Sequence, residues 1–370
     1  DGWPVLTKDF GHLLYSCFLI FPFEKEAGKK ETSPSQTGKR AAHSTSRCGR
    51  QHLGLWRHPR ARLKEKSGMR LVWLSVIMLI GCKGAIERRS CDYITDYFPH
   101  VYEAELAFQD RKYQRASEYY QKAFENCKPV NTVLYYEMLN YAEVCARLGR
   151  NQECLQFIRY SIDEGYELQY WLEDSLFREA FNSQEGKKLI ADYPKLRSDY
   201  ELQVNRRLRS EIHEMMHTDQ MYRNNGYKQL KQDSIDRINT KKLIEIFEEI
   251  GYPNNKNVGH YSLDQTHTDI GTILLHTEDS IRLAYFVPKL IEFVRSGQCN
   301  PLEVGRLLDQ YQLYNGQPQT HGTYQSQEGG LAPMIPDLGV VNKNRIGIGL
   351  PSLQLQAKID SLRRVNYQLP

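Results

Sequence analysis

Between Tyr102 and Tyr314 the apolar residues of this 370-residue chain return every three or four positions. That spacing places them on one face of a helix turning every 3.6 residues, whereas a half-buried strand needs strict alternation. Such a chain builds its core by packing helix on helix, so a mainly α fold is expected. The clearest stripes are Leu208, Ile212, Met215 and Tyr222 within Glu201–Arg223, and Leu243, Ile246 and Ile250 within Asp233–Ile250. Ile270, Ile273 and Leu274 form another, ending at His276. Thr277–Gly297 is expected to be one helix bent at Pro288, and Pro301–Tyr314 a further one. The pattern then gives way to Asn315–Tyr324, a loop by composition, flanked by Gly329-Gly330 and Pro333–Pro336, so the helical part ends in long C-terminal loops.

The formal net charge of +4 is unevenly placed. Residues 1–68 hold 13 Lys and Arg against 6 Asp and Glu, and Arg70 adds one more, which leaves 4 − 7 − 1 = −4 from Cys82 onward. A mildly acidic folded part has no electrostatic reason to bind nucleic acid. Of the eight cysteines, five follow Cys82, which is set apart below: Cys91, Cys127, Cys145, Cys154 and Cys299. Their spacing shows neither a C-x-x-C pair nor a disulfide framework, and Cys145 and Cys154 read as small buried apolar residues.

Gly11–Phe23 is apolar and aromatic, Gly28–Gly68 lacks helical or strand periodicity, and residues 1–68 together read as a non-native or disordered leader. Met69–Cys82 (MRLVWLSVIMLIGC) follows, with a charged start, an apolar centre and Leu-Ile-Gly-Cys at its end. It resembles a bacterial lipoprotein signal peptide, 69–81, with Cys82 as the lipid attachment point. The resemblance implies a lipid-anchored protein of the bacterial cell envelope, with 82–97 as a tether. Read instead as an internal segment, the ten-residue apolar centre is a buried helix, being too short to span a bilayer.

Residues 98–195 read as helical hairpins. Tyr113-x-x-Ala116-x-x-x-Tyr120-x-x-Ala123-Phe124 resembles the second half of a tetratricopeptide repeat, in which small residues let helices approach closely. Ala142, Cys145, Leu148-Gly149, Cys154 and Ser161 sketch a weaker second copy, and Tyr166–Pro194 is expected to cap it. The resemblance implies either an arm that binds a protein or peptide partner or an intramolecular spacer.

Residues 198–370 read as a second helical domain, and its buried stripes carry unexpected polar groups. Asp219 falls where an apolar residue is due, one turn from Arg223: either a structural bridge or part of a site. Asp236 and Asn239 open the stripe of Asp233–Ile250, where Asp233 and Asp236 could equally form a capping box. His260, Asp264 and His267 would line one helix face if the helix before His276 began that early, but no established metal spacing is present. His276 ends an apolar run, as a candidate base or as a favourable helix-end cation.

The ordered set Asp219-Gln220-x-x-Arg223, Asp236-x-x-Asn239, Gly251-x-Pro253, Val258-Gly259, His276, Leu308-Asp309, Gly316-x-Pro318-Gln319-x-x-Gly322-Thr323 and Arg345-Ile346-Gly347-x-Gly349-Leu350-Pro351 resembles an uncharacterised bacterial domain family over about Leu208–Leu355. It implies a shared fold and site but no reaction. His321 stands where that pattern leads one to expect tyrosine, and Gln310 where arginine is expected. The functions expected are a binding module with Arg223, Asn239, Gln319, Gly322 and Thr323 as ligand contacts; a hydrolase or transferase using His276 with Asp219 or Asp236; or a structural envelope component. No metal and no cofactor is implied. In a chain starting at Met69, Cys82→Ala should remove the protein from the membrane fraction of a bacterial host; unchanged fractionation would contradict the lipoprotein reading.

Overall fold

Helix formation follows the stripes, though several ends move. The computed structural model describes residues 91–132, 135–224, 229–326, 331–335 and 337–368, so the leader, the signal-like segment and Cys82 lie outside the described residues. Among the described residues the fold is helical, with two isolated bridges and no strand.

Asp92 accepts from the Ile94 N–H at 3.0 Å and starts a π turn, Tyr93–Tyr97, which runs into α1 (Phe98–Gln109). Tyr93, Ile94 and Tyr97 are core residues, so the end of the expected tether is packed rather than free. A disulfide joins Cys91 to Cys127, a pairing that the cysteine spacing does not single out. Cys145, Cys154 and Cys299 are buried free thiols. Short connections join α1 to α2 (Tyr113–Phe124), and α3 (Glu137–Arg147) to α4 (Asn151–Ile162). Ala116, Ala123 and Ala142 are fully buried, which permits close helix approach. Tyr141 packs on Tyr120 in a tilted pair and on Phe157 edge to face, with ring centroids 5.3 and 4.6 Å apart, and an edge-to-face pair adds about 1 kcal/mol beyond burial.

After short turns, α5 (Gln184–Gln203) continues straight through the boundary expected near 195–198, and the described residues all belong to one compact unit. The helix expected over Glu201–Arg223 is two. Asn205 breaks it, its side chain accepting from the Leu208 N–H at 3.0 Å as an N-cap for α6 (Arg206–Asn224). α7 spans Gln229–Ile250 and starts a turn before Asp233, so Asp233 and Asp236 are interior residues and the capping box does not form.

The helix expected before His276 shortens to α8 (Gly271–Leu275). Buried Arg209 organises the preceding segment instead. Its guanidinium donates to the carbonyls of Val258, Gly259 and Thr266 at 3.0, 2.7 and 2.8 Å, and to both oxygens of Asp264. One fully used guanidinium thus replaces a helix's own hydrogen bonds. Thr277–Gly297 also divides. A π turn, Arg282–Phe286, precedes α9 (Val287–Arg295), so the irregularity lies before Pro288. A wide turn there removes the clash between the proline ring and the preceding turn.

α10 (Pro301–Tyr314), α11 (Leu338–Gly347) and α12 (Leu353–Gln368) complete the unit. α12 packs on α1: Arg363 donates to fully buried Glu105 at 2.7 and 3.0 Å, and Asn366 donates to the Gln109 carbonyl at 2.8 Å.

Glu137, fully buried at the start of α3, accepts from Thr132 N–H at 2.6 Å and Oγ1 at 2.9 Å, yet burial pushes its pKa from 4.5 to about 7. The folded state therefore holds this proton more tightly than the unfolded chain. The contribution of Glu137 to stability is fully present below the unfolded pKa of 4.5 and is lost as pH rises to about 7. Glu137→Gln should flatten that decline by about 3 kcal/mol relative to wild type, measured by urea unfolding across this window. An identical pH profile in the variant would contradict the assignment.

Candidate functional site

The stripe of α6 reaches Leu208, Ile212 and Met215 and then places Asp219 at the next inward position, 1% exposed. A carboxylate there needs partners. His276 Nδ1 lies 2.8 Å from Oδ2 and 3.0 Å from Oδ1, Gln220 Nε2 donates to Oδ2 at 2.6 Å, and Arg223 Nη1 is 3.2 Å from Oδ1. The Asp219 backbone carbonyl accepts from Arg223 and, at 3.0 Å, from Gln232. From α7, Asp236 accepts from Arg223 Nη2 at 2.6 Å and from Gln232 Nε2 at 2.8 Å. One guanidinium therefore joins two carboxylates on different helices, and one amide ties the Asp236 carboxylate to the Asp219 backbone carbonyl.

His276 follows α8 directly, its N–H bonded to the Ile273 carbonyl at 3.0 Å. Arg282 fixes the backbone on both sides, donating to the carbonyls of Leu275 at 2.6 Å and Thr277 at 2.7 Å. A carboxylate only accepts, so Nδ1 carries the proton and Nε2 is left as the basic nitrogen. No described protein group bonds Nε2, and the imidazole is 17% exposed. A base oriented through one nitrogen and open at the other can move a proton.

Of the residues singled out from sequence, Asp219, Arg223, Asp236 and His276 meet in this network. Asn239 is buried one turn beyond Asp236 and donates to the Met215 carbonyl at 3.4 Å, a helix-to-helix contact beside the network. Gln319, Gly322 and Thr323 do not join it. The Gln319 amide donates to the carbonyls of Tyr324 and Ala332 at 3.0 and 3.1 Å and accepts from Tyr324 N–H at 2.7 Å. Thr323 donates N–H and Oγ1 to Asp309 at 2.9 and 2.8 Å, and Gly322 takes a left-handed φ of 63°. These residues fold the C-terminal loop onto α10 instead of lining His276. Burial would raise the Asp309 carboxyl, but hydrogen bonds from His321 and Thr323 outweigh it and hold it below the usual carboxylate range.

His260, Asp264 and His267 do not form a set. His260 packs on Tyr166 and accepts from Ser262, Asp264 binds Arg209, and His267 stacks on Tyr261. Among the described residues no group of three His, Cys, Asp or Glu is arranged for a metal. Gln232 and Arg282 are contacts of this network and its backbone that the pattern did not expose. Gln232 sits one turn before Asp236 on the same face, ahead of the helix start that the Asp233 pattern predicts.

Arg223→Ala should lower the unfolding free energy by about 3 kcal/mol, because it removes the one cation shared by two carboxylates, whereas His276→Ala should cost about 1.5 kcal/mol. Effects of both under about 0.5 kcal/mol in urea unfolding would mean that the network contributes nothing. The chain matches no protein-family model, no curated protein and no solved structure.

Proposed function

We propose that this is a lipid-anchored protein of the bacterial cell envelope whose C-terminal half binds a small ligand or peptide at His276 and transfers a proton there. The observation that carries the reading is the Asp219–His276 contact, with Nδ1 held at 2.8 Å and Nε2 free of protein partners among the described residues. His276 is the base, Asp219 orients it, and Arg223 and Gln232 position Asp219. The proton comes from water or from a ligand hydroxyl, as in hydrolytic or group-transfer chemistry. An exported location is supported by the Cys91–Cys127 disulfide, since such bonds persist in oxidising compartments.

The tetratricopeptide-like half takes a supporting part in this proposal. α1 is already engaged by α12 through Glu105, Gln109, Arg363 and Asn366, which favours an intramolecular role over a partner-binding arm.

Nitrogen-15 spectra of the imidazole should report the Nδ1-protonated tautomer in wild type and lose that preference in Asp219→Asn. Against panels of esters, amides and phosphodiesters, His276→Ala and Asp219→Asn should lower any turnover by about 100-fold or more. Turnover unchanged in both variants would overturn the proposal.

A further inference from the structure

The outward side of α2 carries a row of exposed cations over half-buried tyrosines. Two open depressions of about 570 and 700 Å³ adjoin there, with Tyr113 lining both. The first holds Lys112, Arg115, Lys122 and Glu118, and the second Arg147, Arg178 and Glu179. Five cations against two carboxylates make 5 − 2 = +3 along one surface, on a chain that carries −4 from Cys82 onward. A groove opposite in sign to the rest of the molecule draws an anionic partner to one place.

Two of the cations are neutralised at the rim, Lys112 by Asp110 at 2.5 Å and Arg147 by Glu143 at 2.7 Å. Arg115, Lys122 and Arg178 form no ion pair among the described residues. Arg115, Tyr119 and Lys122 follow one another at helical spacing, and both cations lie over the Tyr119 ring, 5.6 and 5.2 Å from its centroid. Arg147 lies 4.9 Å from the centroid of Tyr113. An aromatic face orders a cation without cancelling its charge, so less side-chain freedom is lost when an anion arrives. The two lining carboxylates are tied to neutral amides, Glu118 to Gln114 at 3.2 Å and Glu179 to Asn151 at 3.1 Å.

Shape selects among anions. From Tyr113 to Lys122 the helix rises about 14 Å, and the second depression continues past Tyr113. A path of that length follows an extended chain of about six residues at ~3.3 Å each. A planar lipid surface would meet the rim and leave the tyrosine floor unused. We propose that this surface docks an extended acidic peptide, its carboxylates meeting Arg115, Lys122 and Arg178 and its backbone lying on Tyr113 and Tyr119. α12 lies against α1 and leaves these residues of α2 uncovered, so docking is compatible with that intramolecular contact. It does not depend on the chemistry proposed for His276.

The test is fluorescence anisotropy of the full chain with fluorescein-labelled octaglutamate, using octalysine and a glycine–serine octapeptide as controls. Octaglutamate alone should bind saturably, with a dissociation constant of about 100 μM or tighter in low salt. In 1 M salt, where charges are screened beyond about 3 Å, binding should weaken about tenfold or more. A variant combining Arg115→Ala, Lys122→Ala and Arg178→Ala should keep its thermal midpoint within about 2 °C, since these side chains are exposed, and should bind about tenfold more weakly. Alanine at Lys241, Lys343 and Lys358, three exposed lysines on other helices, should change binding less than about twofold. The proposal is overturned if octaglutamate does not saturate, if a control peptide binds as well, or if both combined variants lose binding equally. It is also overturned if phosphatidylglycerol vesicles bind through these three residues and octaglutamate does not, which would assign the surface to a membrane.

Discussion

A buried carboxylate holds the centre of this molecule. Asp219 occupies a position on α6 where an apolar residue would have extended the stripe, and at 1% exposure it has no access to water. An isolated charge in such a place would cost several kcal/mol, so the chain must bring it partners. It does so from three directions: Gln220 and Arg223 along α6, His276 after α8, and Gln232 and Asp236 of α7 through shared contacts. The relative placement of these elements is therefore tied to satisfying one side chain. The same requirement leaves the imidazole oriented and its second nitrogen available.

Two other buried charges do comparable work away from the site. Arg209 holds the segment from Val258 to Thr266 in place of a helix, and Glu105 seats α12 on α1 through Arg363. A fourth polar network, around Asp309, folds the loop that carries Gln319 and Thr323. In each case a single charged residue is saturated by backbone or side-chain groups distant in sequence. Irregular stretches are ordered here by such hubs, not by apolar packing alone.

The helical class was legible because three-and-four periodicity reports directly which face is buried: Leu208, Ile212, Met215, Leu243 and Ile246 are all core. Asp219 and His276 were legible for the converse reason, as polar groups placed on or ending apolar stripes. Helix ends were less so. Asn205 is an unremarkable residue until the Asn257 carbonyl accepts its N–H, and α7 already includes Gln229, a turn ahead of Asp233. That hidden start made Asp236 look like a cap. Gln319 and Thr323 were misplaced because glycines, amides and hydroxyls in a loop suit a ligand rim and a self-bonded turn equally. The Cys91–Cys127 pair was invisible for a simpler reason, since spacing alone does not choose among five thiols.

The hub role of Asp219 is tested most directly by a double-mutant cycle between Asp219→Asn and His276→Gln, read by urea unfolding at fixed pH. If the two side chains meet as described, the effects should be non-additive, with a coupling of about 1–2 kcal/mol. Additivity within about 0.3 kcal/mol would show that they do not interact, and the site built on their contact would not exist.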